Sequence, residues 1–257
     1  MIFFQTEDLS IRFGGVLAVN SMSFSVDKGE IFTIIGPNGA GKTTIFNLIS
    51  LIYRPTNGRI FFEGKDLTKN RPSDVARHGI ARTFQNIELF EHETVLKNLL
   101  VGRHLKRRTT LWEQALFLPK VRREEIMHRD AVEKVIDFLD LQHYRDSVVK
   151  NLPYGVQKIV ELGRALCTEP KLLLLDEPSS GLNVEETDDM AFWIEDIKKD
   201  LGITVLMIEH DMSLVNRVSD RVLAVNEGCV LASGTPAQLV AHPDVIAAYL
   251  GTGENDK

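Results

Sequence analysis

Cysteine is scarce: Cys167 and Cys229 are the only two among 257 residues, far apart and outside any metal-ligand spacing. That argues against a disulfide framework and against structural zinc, and suits a reducing compartment. Long apolar runs are missing as well. None approaches the ~20 residues that a membrane-spanning helix requires, so any membrane role is expected to be peripheral. There is no basic surplus, with 30 Lys and Arg against 36 Asp and Glu and a formal net charge of -6. Whole-molecule attraction to nucleic acid is therefore not expected. Internal repeats and low-complexity stretches are absent. Residues 1–8 have no basic stretch before a short apolar run and soon turn acidic, which reads as a first strand and not as a signal peptide.

What is present suits a packed α/β protein: 44% hydrophobic and 26% charged residues, enough for one substantial domain or a core with a smaller subdomain inserted. Residues 1–85 alternate short β-branched and aromatic runs with Gly, Asn and Pro turns, with strands expected at 22–26, 31–35 and 59–62. Between about 86 and 167 the pattern becomes helical and more charged, as at 95–101 and 131–139. From Lys171 onward strands at 172–175 and 203–208 alternate with a helix reaching Lys199, implying a parallel sheet covered on both faces. Two short strands, at 221–225 and 230–232, and helical pieces after Pro236 and Pro243 complete the chain. The basic cluster Arg103, His104, Lys106, Arg107 and Arg108 reads as a solvated helix end or loop, with lipid head groups or a partner as the alternative.

Gly36-Pro37-Asn38-Gly39-Ala40-Gly41-Lys42-Thr43 matches a phosphate-binding loop directly after a strand, with a helix expected from about Thr44. Glycines let the backbone curl so that its N–H groups face phosphate at the positive end of a helix. Lys42 is then expected to reach the β- and γ-phosphates and Thr43 to ligate magnesium. The run 172–175 ends in Asp176-Glu177, two carboxylates at the C-terminal edge of the sheet, where open α/β sheets bind ligands. Asp176 is the candidate magnesium ligand and Glu177 the candidate general base. Alone, such a pair is usually a solvated loop; the phosphate loop changes its meaning. Gln85 and His210 each follow a strand-like run and are expected on the same edge.

Taken in order, the phosphate loop, Gln85, Leu152-Pro153-Tyr154-Gly155-Val156-Gln157, the 172–177 run and His210 resemble the motif set of ATP-binding cassette subunits over nearly the whole chain. The resemblance implies a P-loop NTPase (RecA-like) α/β core, with a small antiparallel β subdomain and an inserted helical subdomain. It implies a single ATPase domain over 1–257, with the core and β subdomain in about 1–85 and 168–257, and the helical subdomain in about 86–167. ATP and Mg2+ are its implied ligands. Gly36, Pro37, Asn38, Gly39, Ala40, Gly41, Lys42, Thr43 and Thr44 would bind nucleotide, with Phe13 stacking on adenine, although Phe13 also reads as a core phenylalanine. Thr43, Gln85 and Asp176 would hold the metal. Glu177, Gln85 and His210 would form the catalytic set, His210 as the switch contacting the γ-phosphate.

Two segments depart from the family pattern. Asn183 stands in Ser180-Gly181-Leu182-Asn183 where many relatives have Asp. The signature, commonly Leu-Ser-Gly-Gly-Gln, reads Leu152-Pro153-Tyr154-Gly155-Val156, and Pro153 offers neither a hydroxyl nor an N–H. In the family this segment closes over the ATP of the opposite subunit, so Gly155 would serve the partner's site and the two sites would be unequal.

The stretches 82–86, 208–212, 234–236 and 243–251 resemble one branch, the LivG-type ATPases of branched-chain amino acid importers. That implies a second, different, LivF-like cassette ATPase, two transmembrane permeases and, indirectly, a periplasmic binding protein. The chain would work on the cytoplasmic face of the plasma membrane, with no nucleic acid partner. Importers of urea or short amides, lipopolysaccharide export and a non-transport cassette ATPase are the alternatives. A GTPase or small-molecule kinase is a further one, without an Asn-Lys-x-Asp guanine motif in its support.

Overall fold

Three five-residue segments without a single exposed position, Ile31–Ile35, Leu172–Asp176 and Thr204–Ile208, set the architecture. Strands buried on both faces belong in parallel sheets, where apolar side chains face covering layers above and below. The computed structural model describes residues 1–84, 86–116 and 118–250. In chain order its elements begin with β1 (Ile2–Phe13), β2 (Val16–Asp27), β3 (Ile31–Ile35), α1 (Lys42–Ile49), β4 (Asn57–Phe62), β5 (Lys65–Asp66), α2 (Pro72–His78) and β6 (Ile80–Arg82). The helices α3 (Val95–Val101), α4 (Leu111–Ala115), α5 (Pro119–Phe138) and α6 (Tyr154–Leu166) follow. The chain continues with β7 (Leu172–Asp176), α7 (Val184–Lys199), β8 (Thr204–Ile208), α8 (Met212–Val218), β9 (Arg221–Asn226), β10 (Cys229–Gly234), α9 (Pro236–Val240) and α10 (Pro243–Leu250).

The chain divides into two compact units, Met1–Arg82 together with the chain from Lys171, and Thr83–Pro170. The first holds two sheets. One is antiparallel, in the order β2-β1-β4-β5, and the other has six strands in the order β10-β9-β3-β8-β7-β6. In the larger sheet β6, β7, β8, β3 and β9 run parallel, and β10 returns antiparallel to β9. The β9–β10 turn is Glu227-Gly228 with φ of 48° and 75°. Two successive positive φ values give the tight turn whose twist matches that of the strands it joins. The core of this unit joins Phe4, Leu9 and Phe62 of the antiparallel sheet with Ile34, Leu174, Leu206 and Ile45.

The second unit is helical. Val95 and Leu99 of α3, Val132 and Ile136 of α5, and Val160 of α6 are buried. Gly163 lets α6 approach Leu99 and Leu139 closely; a Cβ there would lie 3.0 Å from each. Helix α2 departs from the strand-and-turn pattern expected for the first third. Pro72 at its start, Asp74 returning a carboxylate to the Arg71 N–H and Gly79 at φ 95° supply both ends of this seven-residue element. Helix α1 begins at Lys42, two residues before the expected start.

Candidate functional site

Because five strands of the larger sheet are parallel, the residues after β3, β7 and β8 fall at one edge. The register pairs Ile34 with Ile208, and Asp176 with Ile208 from the other side. This edge receives the loop from Gly36 to Gly41, the carboxylates Asp176 and Glu177, and Glu209-His210.

The loop after β3 is shaped by close approaches. A Cβ at Gly36 would overlap the Val225 carbonyl oxygen, and one at Gly41, where φ is 93°, would lie 2.6 Å from Ala18 O. The β9–β10 turn braces the same loop: Gly228 N donates to Ala40 O at 3.1 Å. Gly41 is the N-cap of α1 and no side chain caps the helix, so its first-turn N–H groups are left for an anion. Lys42 is buried and its Nζ donates to Gly36 O at 2.7 Å and Pro37 O at 3.0 Å. Burial pulls its pKa below the ordinary lysine value, partly offset by Glu177, Asp176 and Glu209. The ammonium thus lies among carboxylates at the mouth of the loop. Asn38, Gly39 and Thr43 are exposed, and Thr44 is half-buried.

Asp176, the last residue of β7, is buried and receives Arg82 Nη2 on Oδ2 at 2.7 Å. Glu177 has φ 49°, an uncommon conformation for a residue with a side chain and one that clusters at functional sites. Its N–H donates to Ile208 O at 2.9 Å, tying it to β8. His210 is 54% exposed, and its Nδ1 lies 3.8 Å from Glu177 Oε2 and 3.6 Å from Glu209 Oε2.

Three residues at this edge had no assigned role in the sequence. Arg82 also reaches Asn47 Oδ1 at 2.8 Å and Ser50 Oγ at 3.2 Å, so one guanidinium joins β6, α1 and β7. Glu209 is fully buried. It accepts from the Ser179 backbone N–H at 3.1 Å, from the Ser179 hydroxyl, and from the His210 N–H at 2.8 Å. Burial raises its pKa above the usual carboxylate range, and these donors counteract the rise. Glu209 therefore fixes the backbone that carries His210 to the loop after Glu177.

Phe13, at the end of β1, is 45% exposed and meets Tyr53 edge-on with ring centroids 5.2 Å apart. That leaves an accessible ring and decides against a core role. Gln85 lies outside the described residues. No group of three or more His, Cys, Asp or Glu able to hold a metal exists among the described residues. The Thr43 hydroxyl and the Asp176 carboxylate are nevertheless the hard oxygen donors magnesium takes alongside water and phosphate, so this donor set fits that ion.

The family model described as ABC transporter matches residues 19–180, more than half of the chain. The chain belongs to the ABC transporter family. A second family model, described as branched-chain amino acid ATP-binding cassette transporter, matches residues 229–255. The cassette is 41% identical over 250 residues to the high-affinity branched-chain amino acid transport ATP-binding protein BraF of Pseudomonas aeruginosa, covering 96% of this chain and 97% of that protein. It is 42% identical over 243 residues to the corresponding LivG protein of Escherichia coli, covering 95% of each. Among solved structures, it matches the ADP conformation of an ATP-binding cassette of an ABC transporter with a TM-score of 0.86, 33% identity and coverage of 98% and 99%. A P-loop nucleotide-binding fold and ATP hydrolysis in the service of transport follow from that membership. No helix among the cassette's described residues is long and apolar enough to cross a membrane.

Both departures from the family pattern have a local geometry in the cassette. Asn183 is the N-cap of α7, accepting from Glu186 N at 3.0 Å while Glu186 Oε2 accepts the Asn183 N–H at 3.0 Å. Asn and Asp are equally good at this position. Pro153 is the N-cap of α6 and contributes no side-chain acceptor, with Gly155 buried in the first turn.

Proposed function

We propose that this chain is the ATP-hydrolysing subunit of an importer for branched-chain amino acids, working at the cytoplasmic face of the membrane. Its helical insertion, about 86–167, is read as the subdomain that presents the signature. The observation that carries the reading is the meeting of Lys42, Asp176, Glu177 and His210 at one sheet edge, in a chain whose full-length relatives carry branched-chain amino acid transport in their names.

The site's own residues divide the work. N–H groups from Gly36 to Thr44 and the Lys42 ammonium bind the phosphate chain, and Phe13 offers its open ring to the base. Thr43 and Asp176, with Gln85, would hold magnesium, which when bound offsets charge on the β- and γ-phosphate oxygens. Arg82 fixes the Asp176 carboxylate from behind. Glu177 takes a proton from the attacking water, held in place by its bond to Ile208 O, and His210 steadies the γ-phosphate from the next strand. Gly155 serves the ATP of a second, different cassette ATPase, so two nucleotides are enclosed between two subunits. Closure on ATP and reopening after hydrolysis pass motion to two permease subunits, which receive their solute from a periplasmic binding protein.

Mass spectrometry of what co-purifies from gently solubilised native membranes tests the reading, with ATP and Glu177→Gln holding the closed state. Two permeases, a second cassette ATPase and leucine uptake that depends on all of them are the expected result. A permease pair moving urea or short amides would replace the solute and keep the mechanism. Recovery with ribosomes or nucleic acid would overturn the transport assignment.

A further inference from the structure

Residues 103–123 contain seven Lys or Arg and one acidic residue, Glu113, in a chain whose net charge is -6. Three of the seven are ion-paired locally. Arg103 and Lys106 pair with Glu169 at 2.7 and 2.9 Å, and Lys120 pairs with Glu113 at 3.0 Å. The other four, Arg107, Arg108, Arg122 and Arg123, are exposed, and no carboxylate of the described residues lies within ion-pair distance of them.

Helix α4 lies between these two arginine pairs. Thr110 caps it and Glu113 completes a capping box. The N–H groups of Arg108 and Thr109 donate to the Glu124 carboxylate on α5, and Lys120 of α5 reaches back to Glu113. The turn is therefore anchored at both ends. It holds Trp112 at 81% exposure and Leu116 at 70%. Four residues apart, these two side chains share one helical face. A Trp and a Leu kept in water by a braced turn, with unpaired guanidinium groups on either side, have the make-up of an interfacial contact. Apolar bodies enter the boundary between head groups and acyl chains, and arginines meet phosphate oxygens bidentately.

We propose that Arg107, Arg108, Trp112, Leu116, Arg122 and Arg123 form a membrane-surface contact that binds anionic lipid head groups. Charge complementarity identifies the occupant: four exposed arginines with no carboxylate of the described residues within ion-pair distance fit a continuous negative surface. The contact would give the cassette its own hold on the bilayer beside the permeases. It rests on the transport reading only for placing the chain at a membrane.

The test uses the purified full chain, sedimented with vesicles of phosphatidylcholine alone or of phosphatidylcholine mixed with phosphatidylglycerol. The expected result is binding to the anionic vesicles only, weakening as salt is raised. Each Arg→Ala change should lower the partition coefficient about fivefold. Trp112→Ala should also weaken binding, while ATP hydrolysis in solution stays at the wild-type level in every variant. Absence of wild-type binding, equal binding to neutral vesicles, or an R107A/R108A/R122A/R123A protein that binds like wild type would overturn the proposal. A quadruple variant that fails to capture permeases, from a chain that does not bind vesicles, would assign the surface to a protein partner instead. Vesicle binding requires neither nucleotide nor permease, so its failure is distinguishable from failure of the transport reading.

Discussion

Arg82 Nη2 stands 2.7 Å from Asp176 Oδ2, with 8% and 2% of the two side chains exposed. Removing one partner of a buried pair leaves the other charged and unsolvated, at a cost of about 3–5 kcal/mol. Arg82→Met should lower the unfolding free energy by about that amount in urea titrations. Arg82→Lys should recover only part of it, because a lysine cannot serve Asn47, Ser50 and Asp176 in the planar fork that arginine provides. Adding Asp176→Asn to Arg82→Met should cost less than the sum of the single changes, since the uncompensated carboxylate is gone. Strict additivity would mean that the two groups do not depend on each other.

Glu177→Gln should separate binding from turnover. The change leaves the phosphate-binding N–H groups and the Lys42 bonds to Gly36 O and Pro37 O in place, so nucleotide affinity should remain within a few-fold of wild type. Phosphate release should fall by about 10²–10⁴, the scale of a lost general base. Equilibrium titration and a phosphate-release assay read the two quantities. A turnover number within tenfold of wild type would remove Glu177 from the proton transfer.

The part of this edge that was legible in the sequence is the part made by contiguous residues. Glycines at fixed spacing after an apolar run placed Lys42 and Thr43, and the run ending in Asp176-Glu177 placed both carboxylates. His210 could be set beside them because parallel strands bring their following loops to one edge. Arg82, Ser179 and Glu209 were not legible in this way, since each acts through a partner 30 or more positions away and no local pattern encodes such a pairing. Helix α2 is not evident from periodicity although Pro72, Asp74 and Gly79 are ordinary start and stop signals; seven residues with one buried side chain, Val75, are too few to show a repeat. The Thr110–Glu113 capping box carried a comparable signal for α4.

Glu209 gives the site a pH dependence whose sign can be worked out. Burial raises its native pKa above the unfolded value, so between the two the native state holds more protons and stability falls as pH rises. The contribution is full below the unfolded value and lost above the native one. Ser179→Ala deletes a donor to the charged form and raises the native pKa further. It should therefore cost about 1.5–3 kcal/mol at pH 8, the scale of a hydrogen bond to a charged group, and distinctly less near pH 4.5. Urea titrations of both proteins at the two pH values decide it. A penalty independent of pH would mean that the hydroxyl serves packing and not the carboxylate.

Pro153→Ser examines why the signature departs from the family pattern. Pro153 already has the extended backbone of an N-cap, with φ -54° and ψ 150°, so serine can take its place without strain and offer Oγ to the N–H of Gly155 or Val156. A new cap contributes about 1 kcal/mol, and loss of proline's restriction of the unfolded chain removes about 0.4–1 kcal/mol. The two nearly cancel, so stability should change by less than about 1 kcal/mol. The hydroxyl is also placed at the helix start that faces the partner's nucleotide in the proposed closed complex. A hydrogen bond to a charged phosphate there contributes about 1.5–3 kcal/mol, which is a roughly tenfold or greater tightening of ATP in the closed pair. Co-purified subunits carrying Glu177→Gln, titrated with ATP with and without Pro153→Ser, measure that change. An unchanged affinity would place the hydrogen bonding to the γ-phosphate wholly on backbone groups of α6, and the proline would then be a neutral replacement instead of a source of unequal sites.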